Sequence, residues 1–391
     1  MTSRQYAASR LASIEPFHVM RILEQAHELE ASGRDVIHLE VGEPDFPTPP
    51  AIVAAGMAAL AAGKTFYTPA AGLPALREAI AGFYRSRFGL EIDPARIIVT
   101  PGASGALQLI LALLVGRDDE VLLTDPGYPC NRHLVSLFEG RAVNIPVDAD
   151  TRFQLTTQHV AEHWGARTVA ALVASPANPT GTVLEATEIA QLARAVAARG
   201  GTLIVDEIYQ GLVYDRPHET ALTVDDGIFV VNSFSKFFQM TGWRLGWLVA
   251  PPDCVPDLEK LAQNLFLAAP TLAQHAALAA FEPQTLALLE ERRQTLDLRR
   301  RHLAGLLTDM GFLLPARAQG AFYLWADVSR LDDDAARFAE RLLQQEAVAV
   351  TPGLDFGMAA SGRYLRFAYT QPPQRLDEAA TRIRRLLRAG A

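Results

Sequence analysis

Between residues 97 and 249 the chain repeats one pattern: a short apolar run rich in β-branched residues, a few turn formers, then an alanine- and leucine-rich stretch. The runs fall at 97–100, 121–124, 169–173, 202–206 and 228–232. They are almost continuously apolar rather than alternating, which is how strands buried on both faces read. Strands of that kind separated by helical stretches predict an α/β fold, a mostly parallel sheet covered by helices. In such sheets ligands collect beyond the carboxyl ends of the strands. Asp206 and Asn232 sit at such ends, and Lys236 lies just past the second.

From about residue 286 the texture changes. A long charged helical stretch at 286–307 is followed by an apolar strand at 320–325, a second helix, a short run at 348–351, a strand at 364–369 and an arginine-rich amphipathic helix. The shift predicts a smaller α+β domain over 286–391 beside a large domain over 42–285. Residues 1–41, with an amphipathic helix near 19–32, are too short to stand alone and are expected to pack with the smaller domain. A chain of 391 residues, 49% hydrophobic and 20% charged, has room for this division.

A net charge of −8 gives no support to binding nucleic acid or an acidic membrane. The most apolar stretch, 106–115, is too short to span a bilayer, and the N-terminus lacks a basic-then-apolar signal pattern, so the expected location is the cytoplasm. Cys130 and Cys254 fit neither a metal spacing nor a disulfide framework, and read as small hydrophobes. Nine histidines form no ligand cluster, so no metal is expected. There is no internal repeat.

Lys236 stands out because the chain has three lysines among 36 basic residues. Arginine serves wherever a plain positive charge suffices; lysine alone can lose its proton inside a protein and attack a carbonyl to form a Schiff base. Lys64 and Lys260 read as surface charges. Lys236 lies in Asn232-Ser233-Phe234-Ser235-Lys236-Phe237-Phe238-Gln239-Met240-Thr241-Gly242-Trp243-Arg244, where Ser233 and Ser235 offer hydroxyls and Arg244 a phosphate-gripping fork. An amine beside a phosphate grip suggests pyridoxal 5′-phosphate (PLP). No Walker-type loop precedes the lysine.

Other residues fit the same chemistry, each with an ordinary structural alternative. Asp206 ends an apolar strand, where a carboxylate needs a positive partner such as a pyridinium nitrogen; a helix cap is the plain reading. Glu207 follows directly, and spacing alone leaves open which carboxylate faces inward. Asn178, in Ser175-Pro176-Ala177-Asn178-Pro179-Thr180-Gly181, is either a turn residue or an amide donor to the cofactor's phenolic oxygen. Tyr209 is placed to donate to that oxygen too. The loop Thr100-Pro101-Gly102-Ala103-Ser104-Gly105 leads into a helix whose free amides suit a phosphate. It matches neither the dinucleotide fingerprint nor the hydrolase nucleophile elbow. Tyr128, in Pro126-Gly127-Tyr128-Pro129, is an aromatic that can stack on a flat ring. Arg366, inside an apolar strand, calls for a carboxylate, either a substrate's or a structural partner's.

Together these positions resemble the class I and II aminotransferases of PLP fold type I, the aspartate aminotransferase-like family. The likeness runs over nearly the whole chain, through Val41-Gly42-Glu43-Pro44-Asp45-Phe46, Tyr67-Thr68-Pro69-Ala70-Ala71-Gly72, the loops of Tyr128 and Asn178, Asp206-Glu207-Ile208-Tyr209, the Lys236 run and Tyr364-Leu365-Arg366. The resemblance implies a seven-stranded sheet, with Lys236 carrying PLP, Asp206 on the ring nitrogen, and Arg366, Asn178 and Gly42 at the substrate. It implies catalytic roles for Lys236, Asp206 and Tyr209. It assigns Ser233, Ser235, Arg244, Ala103 and Ser104 to the phosphate and Tyr128 to the ring face. Tyr67 is expected to reach the phosphate of a neighbouring subunit, which implies a homodimer with shared sites. Ser175 stands where the family often has asparagine.

The expected activity is transfer of the amino group of an L-amino acid to a 2-oxo acid, with 2-oxoglutarate the usual acceptor in similar enzymes. A β-elimination lyase acting on a sulfur amino acid would carry the same motifs. A PLP-sensing regulator would need a DNA-binding domain, for which roughly 40 residues before Gly42 leave no room. The stretch Ile14-Glu15-Pro16-Phe17-His18-Val19-Met20 is expected to pass over the site and, being apolar at Phe17, Val19 and Met20, to favour an uncharged donor.

Overall fold

A computed structural model describes residues 8–16, 18–359 and 361–389. Its strands are β1 (Ile37–His38), β2 (Ile97–Thr100), β3 (Glu120–Asp125), β4 (Arg141–Pro146), β5 (Thr168–Ala174), β6 (Thr202–Asp206), β7 (Phe229–Ser233), β8 (Gly246–Val249), β9 (Tyr323–Asp327), β10 (Val348–Ala349), β11 (Thr351–Pro352) and β12 (Tyr364–Ala368). Seven of them form one sheet in the order β2-β8-β7-β6-β5-β3-β4. All run the same way except β8, which is antiparallel to both β2 and β7.

The continuous apolar runs are explained by where alternate side chains go. Leu122, Ala171, Val173, Leu203, Val205 and Val230 join the apolar cluster on one face of the sheet. Val121, Leu123, Leu172, Ile204, Phe229 and Val231 join the cluster on the other. Each fully buried aliphatic side chain contributes about 1.5–3 kcal/mol relative to exposure, so the buried polar residues Thr100, Thr168, Asp206, Asn232 and Ser233 are confined to the strand ends. Ile204→Asp in the central β6 would place an unpaired charge in that cluster.

All five runs are strands, but the expected alternation with helices holds only in part. Helices Gly102–Leu114, Pro129–Leu137, Thr157–His163 and Ala186–Ala197 follow β2, β3, β4 and β5. After β6 the chain makes an irregular excursion containing only a 3₁₀ turn, Ala221–Thr223, and after β7 it passes through another 3₁₀ turn, Thr241–Trp243, into β8. Those two connections without an α-helix carry Tyr209 and Lys236. The apolar runs leave β4 and β8 unmarked. β4 is an edge strand with Arg141, Asn144 and Pro146 exposed, and β8 is a four-residue strand opening on Gly246.

A second sheet, β11-β12-β9, is antiparallel, and β1 pairs in parallel with β10. The run at 348–351 therefore splits between two sheets, and the strand expected from residue 320 begins at Tyr323. The long helix is Pro283–Asp309, and its Arg299 reaches Asp45 at 2.8 Å. Pairing of Ile37 and His38 with β10 carries the chain toward Glu40 and Gly42, beside β12. Among the described residues, no helix is long and apolar enough to cross a membrane, and no group of three or more His, Cys, Asp or Glu could hold a metal ion.

Candidate active site

A cavity of about 260 Å³ opens at the carboxyl ends of β5 and β6. Its wall brings together Gly42, Ala103, Ser104, Tyr128, Asn178, Asp206, Tyr209, Lys236 and Arg366 from segments far apart in the chain. The helix His18–Ala31 covers it with Val19, Met20 and Leu23. Phe17 lies outside the described residues. The N–H of His18 donates to Asp355 Oδ1 at 2.9 Å, fixing the start of that helix to the wall. Tyr67 is not in the cavity: it is 83% exposed, next to an equally exposed Phe66.

Lys236 hangs from the loop after β7, and its Nζ donates to the Gly42 carbonyl at 2.5 Å. Burial brings its amine down to about 8, against which Glu43 is the largest opposing influence. Burial pushes Asp206 up to about 6, opposed by the Ile208 N–H that Oδ1 accepts at 3.0 Å and by Lys236. Strand alternation settles the neighbouring pair. Glu207 turns to the other side, where it accepts from Ala221 N–H at 2.6 Å and from the Thr220 hydroxyl at 2.9 Å.

Arg366 is 4% exposed, yet among the described residues it has no carboxylate partner. Its donors go to Asn178 Oδ1 at 2.9 Å, the Glu40 carbonyl at 2.5 Å and Thr351 Oγ1 at 3.3 Å, while its Nε has no partner. The guanidinium lies between the rings of Tyr323 and Phe356, 4.2 and 4.8 Å from their centroids. A buried guanidinium with a spare donor and no carboxylate partner among the described residues has the chemistry to accept one. Because the Asn178 oxygen is taken by Arg366, its amide nitrogen is the group left to donate.

Behind the cavity Ser233, Ser235 and Arg244 close on the N-terminus of Gly102–Leu114. Ser233 Oγ donates to Ser235 Oγ at 3.0 Å, and Arg244 Nη1 lies 3.5 Å from Ser235 Oγ. Gly102 adopts φ +71°, and a Cβ there would come 2.6 Å from Arg244 Nη2. Arg244 itself sits at φ 54°, a left-handed conformation that costs a non-glycine residue about 1–2 kcal/mol. The strain aims the guanidinium at the free amides of a helix start, so two positive ends converge on one spot, which suits a phosphate.

These residues fit PLP on observations internal to the structure: an anion cradle, a carboxylate whose charge burial disfavours, an amine that burial brings down to about 8, and a buried guanidinium with no carboxylate partner among the described residues. Sequence reasoning missed Tyr323, Phe356, Leu23, Leu107 and Asp355, which also line the cavity. Tyr323, Leu23 and Leu107 read as apolar strand or helix positions and Asp355 and Phe356 lie at a short 3₁₀ turn, and no local motif sets any of them apart.

Comparison with known proteins bears on the family and the fold. The family model described as aminotransferase class I and II matches residues 34–383. The valine–pyruvate aminotransferase of Mycobacterium tuberculosis is 37% identical over 374 residues, covering 95% of this chain and 96% of that protein. The crystal structure of an aminotransferase from the same organism superposes with a TM-score of 0.95 at 37% identity, over 99% of this chain and 100% of that one. Aspartate aminotransferase from Thermus thermophilus with maleate superposes with a TM-score of 0.92 at 34% identity, over 99% of this chain and 100% of that one.

Proposed function

The chain belongs to the class I and II aminotransferases, a PLP-dependent family, and on that premise we propose that it moves the amino group of an L-amino acid with an uncharged side chain to a 2-oxo acid in two half-reactions. The observation that carries the reading is the convergence of Lys236, Asp206 and the unfilled Arg366 on one cavity beside an anion cradle. In this reading PLP is held by Ser233, Ser235, Arg244 and the amides of Ala103 and Ser104 at its phosphate, by Tyr128 at its ring face, and by Asn178 and Tyr209 at its phenolic oxygen. Bound there, it supplies an aldehyde carbon that Lys236 can hold as a Schiff base and a ring that withdraws electrons from the substrate Cα.

The chain's own residues do the rest. Asp206 keeps a positive charge at the ring nitrogen, which spreads developing negative charge. Arg366 fixes the substrate carboxylate and so orients the Cα–H bond, with the Gly42 segment alongside. The Lys236 amine, once free, takes the proton from Cα as base and returns it as acid; an amine titrating near 8 is poised for both directions.

The donor is read from the cavity wall. Val19, Met20, Leu23, Leu107, Ile208 and Phe356 are apolar, and the cations among the described residues of the wall, Lys236 and Arg366, already have roles in this reading. A side-chain carboxylate would be desolvated without a partner, at several kcal/mol. For the acceptor, 2-oxoglutarate is the first to test, with pyruvate beside it because of the valine–pyruvate relative. Turnover of a panel of amino acids with each acceptor tests the activity, and no oxo-acid-dependent turnover of any would overturn it.

We further propose that residues 42–285 form the cofactor-binding domain, that 286–391 form the smaller one, and that 1–41 pack with the latter through β1 and β10. A homodimer is proposed on Tyr67, Phe66, Met57 and Leu60, large hydrophobics all more than half exposed on one stretch of chain. A monomer at micromolar concentration in sedimentation would sink it.

A further inference from the structure

Two phenols meet on the cavity wall. Tyr209, in the excursion after β6, and Tyr323, opening β9, are buried, with hydroxyl oxygens 3.0 Å apart and rings at 80°. Two O–H protons are present and the bond between them uses one. Among the described residues no other bond to either hydroxyl is made. Tyr323 Oη is pressed against residue 42, where any Cβ would run into it; the glycine there is the one whose carbonyl holds Lys236. The opposite side of Tyr323, its ring face, supports the Arg366 guanidinium at 4.2 Å.

We propose that Tyr323 is a positioning residue with two separable parts: its hydroxyl donates to Tyr209, freeing the Tyr209 proton for the anionic oxygen of the cofactor, and its ring holds the Arg366 guanidinium edge-on to the substrate carboxylate. This rests on the reading that the cavity takes PLP and that Arg366 takes the carboxylate. The direction of donation follows from supply. If Tyr209 gave its single proton to Tyr323, the Tyr323 proton would have no acceptor, and an oxyanion in the cavity would lose a donor. With Tyr323 donating, both protons are used, and a chain of two O–H donors ending on an anion is polarised cooperatively.

The surroundings keep both phenols protonated: burial is the main influence, pushing both above their ordinary range. The charged and titratable groups facing them are Lys236, whose Nζ lies 5.9 Å from the Tyr209 ring centroid, Arg366, Tyr128 and Asp206. The ring's part is mechanical. A guanidinium flanked by Tyr323 and Phe356 keeps its edge toward the cavity, while an aliphatic residue at 323 would let it tilt.

The test uses the holoenzyme with Tyr323→Phe, Tyr323→Leu and the reference variants Tyr209→Phe and Arg366→Lys. The readouts are the pH titration of the bound cofactor's absorbance, KM for the amino donor and kcat. A donor to the phenolic oxygen favours its anionic form, so losing the donor moves the absorbance transition to higher pH. Tyr323→Phe should move it up by roughly 0.4 to 1 unit, less than Tyr209→Phe, lowering kcat while KM changes by less than about twofold. Tyr323→Leu should make the same spectral shift and also raise KM at least about tenfold. A wild-type titration in Tyr323→Phe overturns the hydroxyl's part, and a wild-type KM in Tyr323→Leu overturns the ring's. If the leucine variant does not fold, the phenylalanine variant, which keeps the volume, still decides the relay. Wild-type behaviour of Tyr209→Phe and Arg366→Lys would instead place the fault in the underlying reading of the site.

Discussion

Asp206 lines the cavity, whereas Glu207, one residue later, is turned away and held by the Ala221 N–H and the Thr220 hydroxyl. Two buried acids in succession thus occupy opposite sides of one strand end. Asp206→Asn keeps the volume but removes the charge that, in the proposed reading of the site, would hold the ring nitrogen protonated. We predict a kcat loss of at least about a hundredfold, roughly 2.7 kcal/mol of transition-state stabilisation, with a smaller effect on cofactor affinity. Burial pushes Glu207 up to about 8, so it is largely protonated at neutral pH, and Glu207→Gln should stay within roughly threefold of wild type. A dead Glu207→Gln beside an active Asp206→Asn would reverse the assignment.

Lys236→Ala should fold and still bind PLP through the phosphate cradle, but not turn over. In the native protein, borohydride should fix the cofactor on the peptide containing Lys236. Capture of PLP by apoprotein should accelerate as pH rises through about 8, where the amine loses its proton. Label on Lys64 or Lys260 would refute the placement.

His38 offers a test of stability. Its Nδ1 lies 2.7 Å from Glu40 Oε1, buried, and its Nε2 lies 3.2 Å from Glu30 Oε1 on the helix that covers the cavity. The hydrogen bond to Glu40 is the largest of the influences that bring His38 up to about 9. The folded-state value is raised, so the stabilisation is fully present below about pH 6.5 and fades as pH rises through about 9. The imidazolium should contribute on the order of 2 kcal/mol at pH 6. His38→Gln should therefore lower stability markedly at pH 6 and little at pH 9.5 by urea unfolding. An equal loss at both pH values would show that packing, not charge, is the cause.

What could be read from the chain depended on how locally each feature is encoded. β6 was legible to its last residue because an apolar run ends on a carboxylate, and Lys236 because lysine is rare in a chain that uses arginine. β4 was not, since this edge strand interleaves exposed Arg141, Asn144 and Pro146 with its few packed apolar residues, such as Ile145, and so shows no continuous apolar run. Arg366 could be singled out within its strand, but not the Tyr323 and Phe356 rings that flank it, because they read as core and meet Arg366 only when β9, β12 and the 3₁₀ turn Gly353–Asp355 come together. The choice between Asp206 and Glu207 required the actual strand orientation, which a two-residue spacing does not specify.

The last prediction concerns the substrate side chain. The covering helix presents Val19, Met20 and Leu23 to the cavity, and the acid on that side, Asp355, is engaged by the helix start through His18 N–H. An aliphatic donor gains by covering this surface, about 0.8 kcal/mol per buried methylene, while aspartate must desolvate a second carboxylate with no free cation among the described residues of the wall. Under one acceptor, kcat/KM should therefore rank leucine, valine and alanine above aspartate, the best of them by at least about tenfold. Leu23→Arg supplies the missing cation and should narrow or invert that ranking by lowering the aspartate KM, while the aliphatic donors lose apolar contact. The opposing consideration is that 2-oxoglutarate also carries two carboxylates. If it proves a better acceptor than pyruvate in the wild type, Leu23→Arg should still improve its KM. A wild-type preference for aspartate over all three aliphatic donors would show that the cation comes from elsewhere and that the wall does not set the specificity.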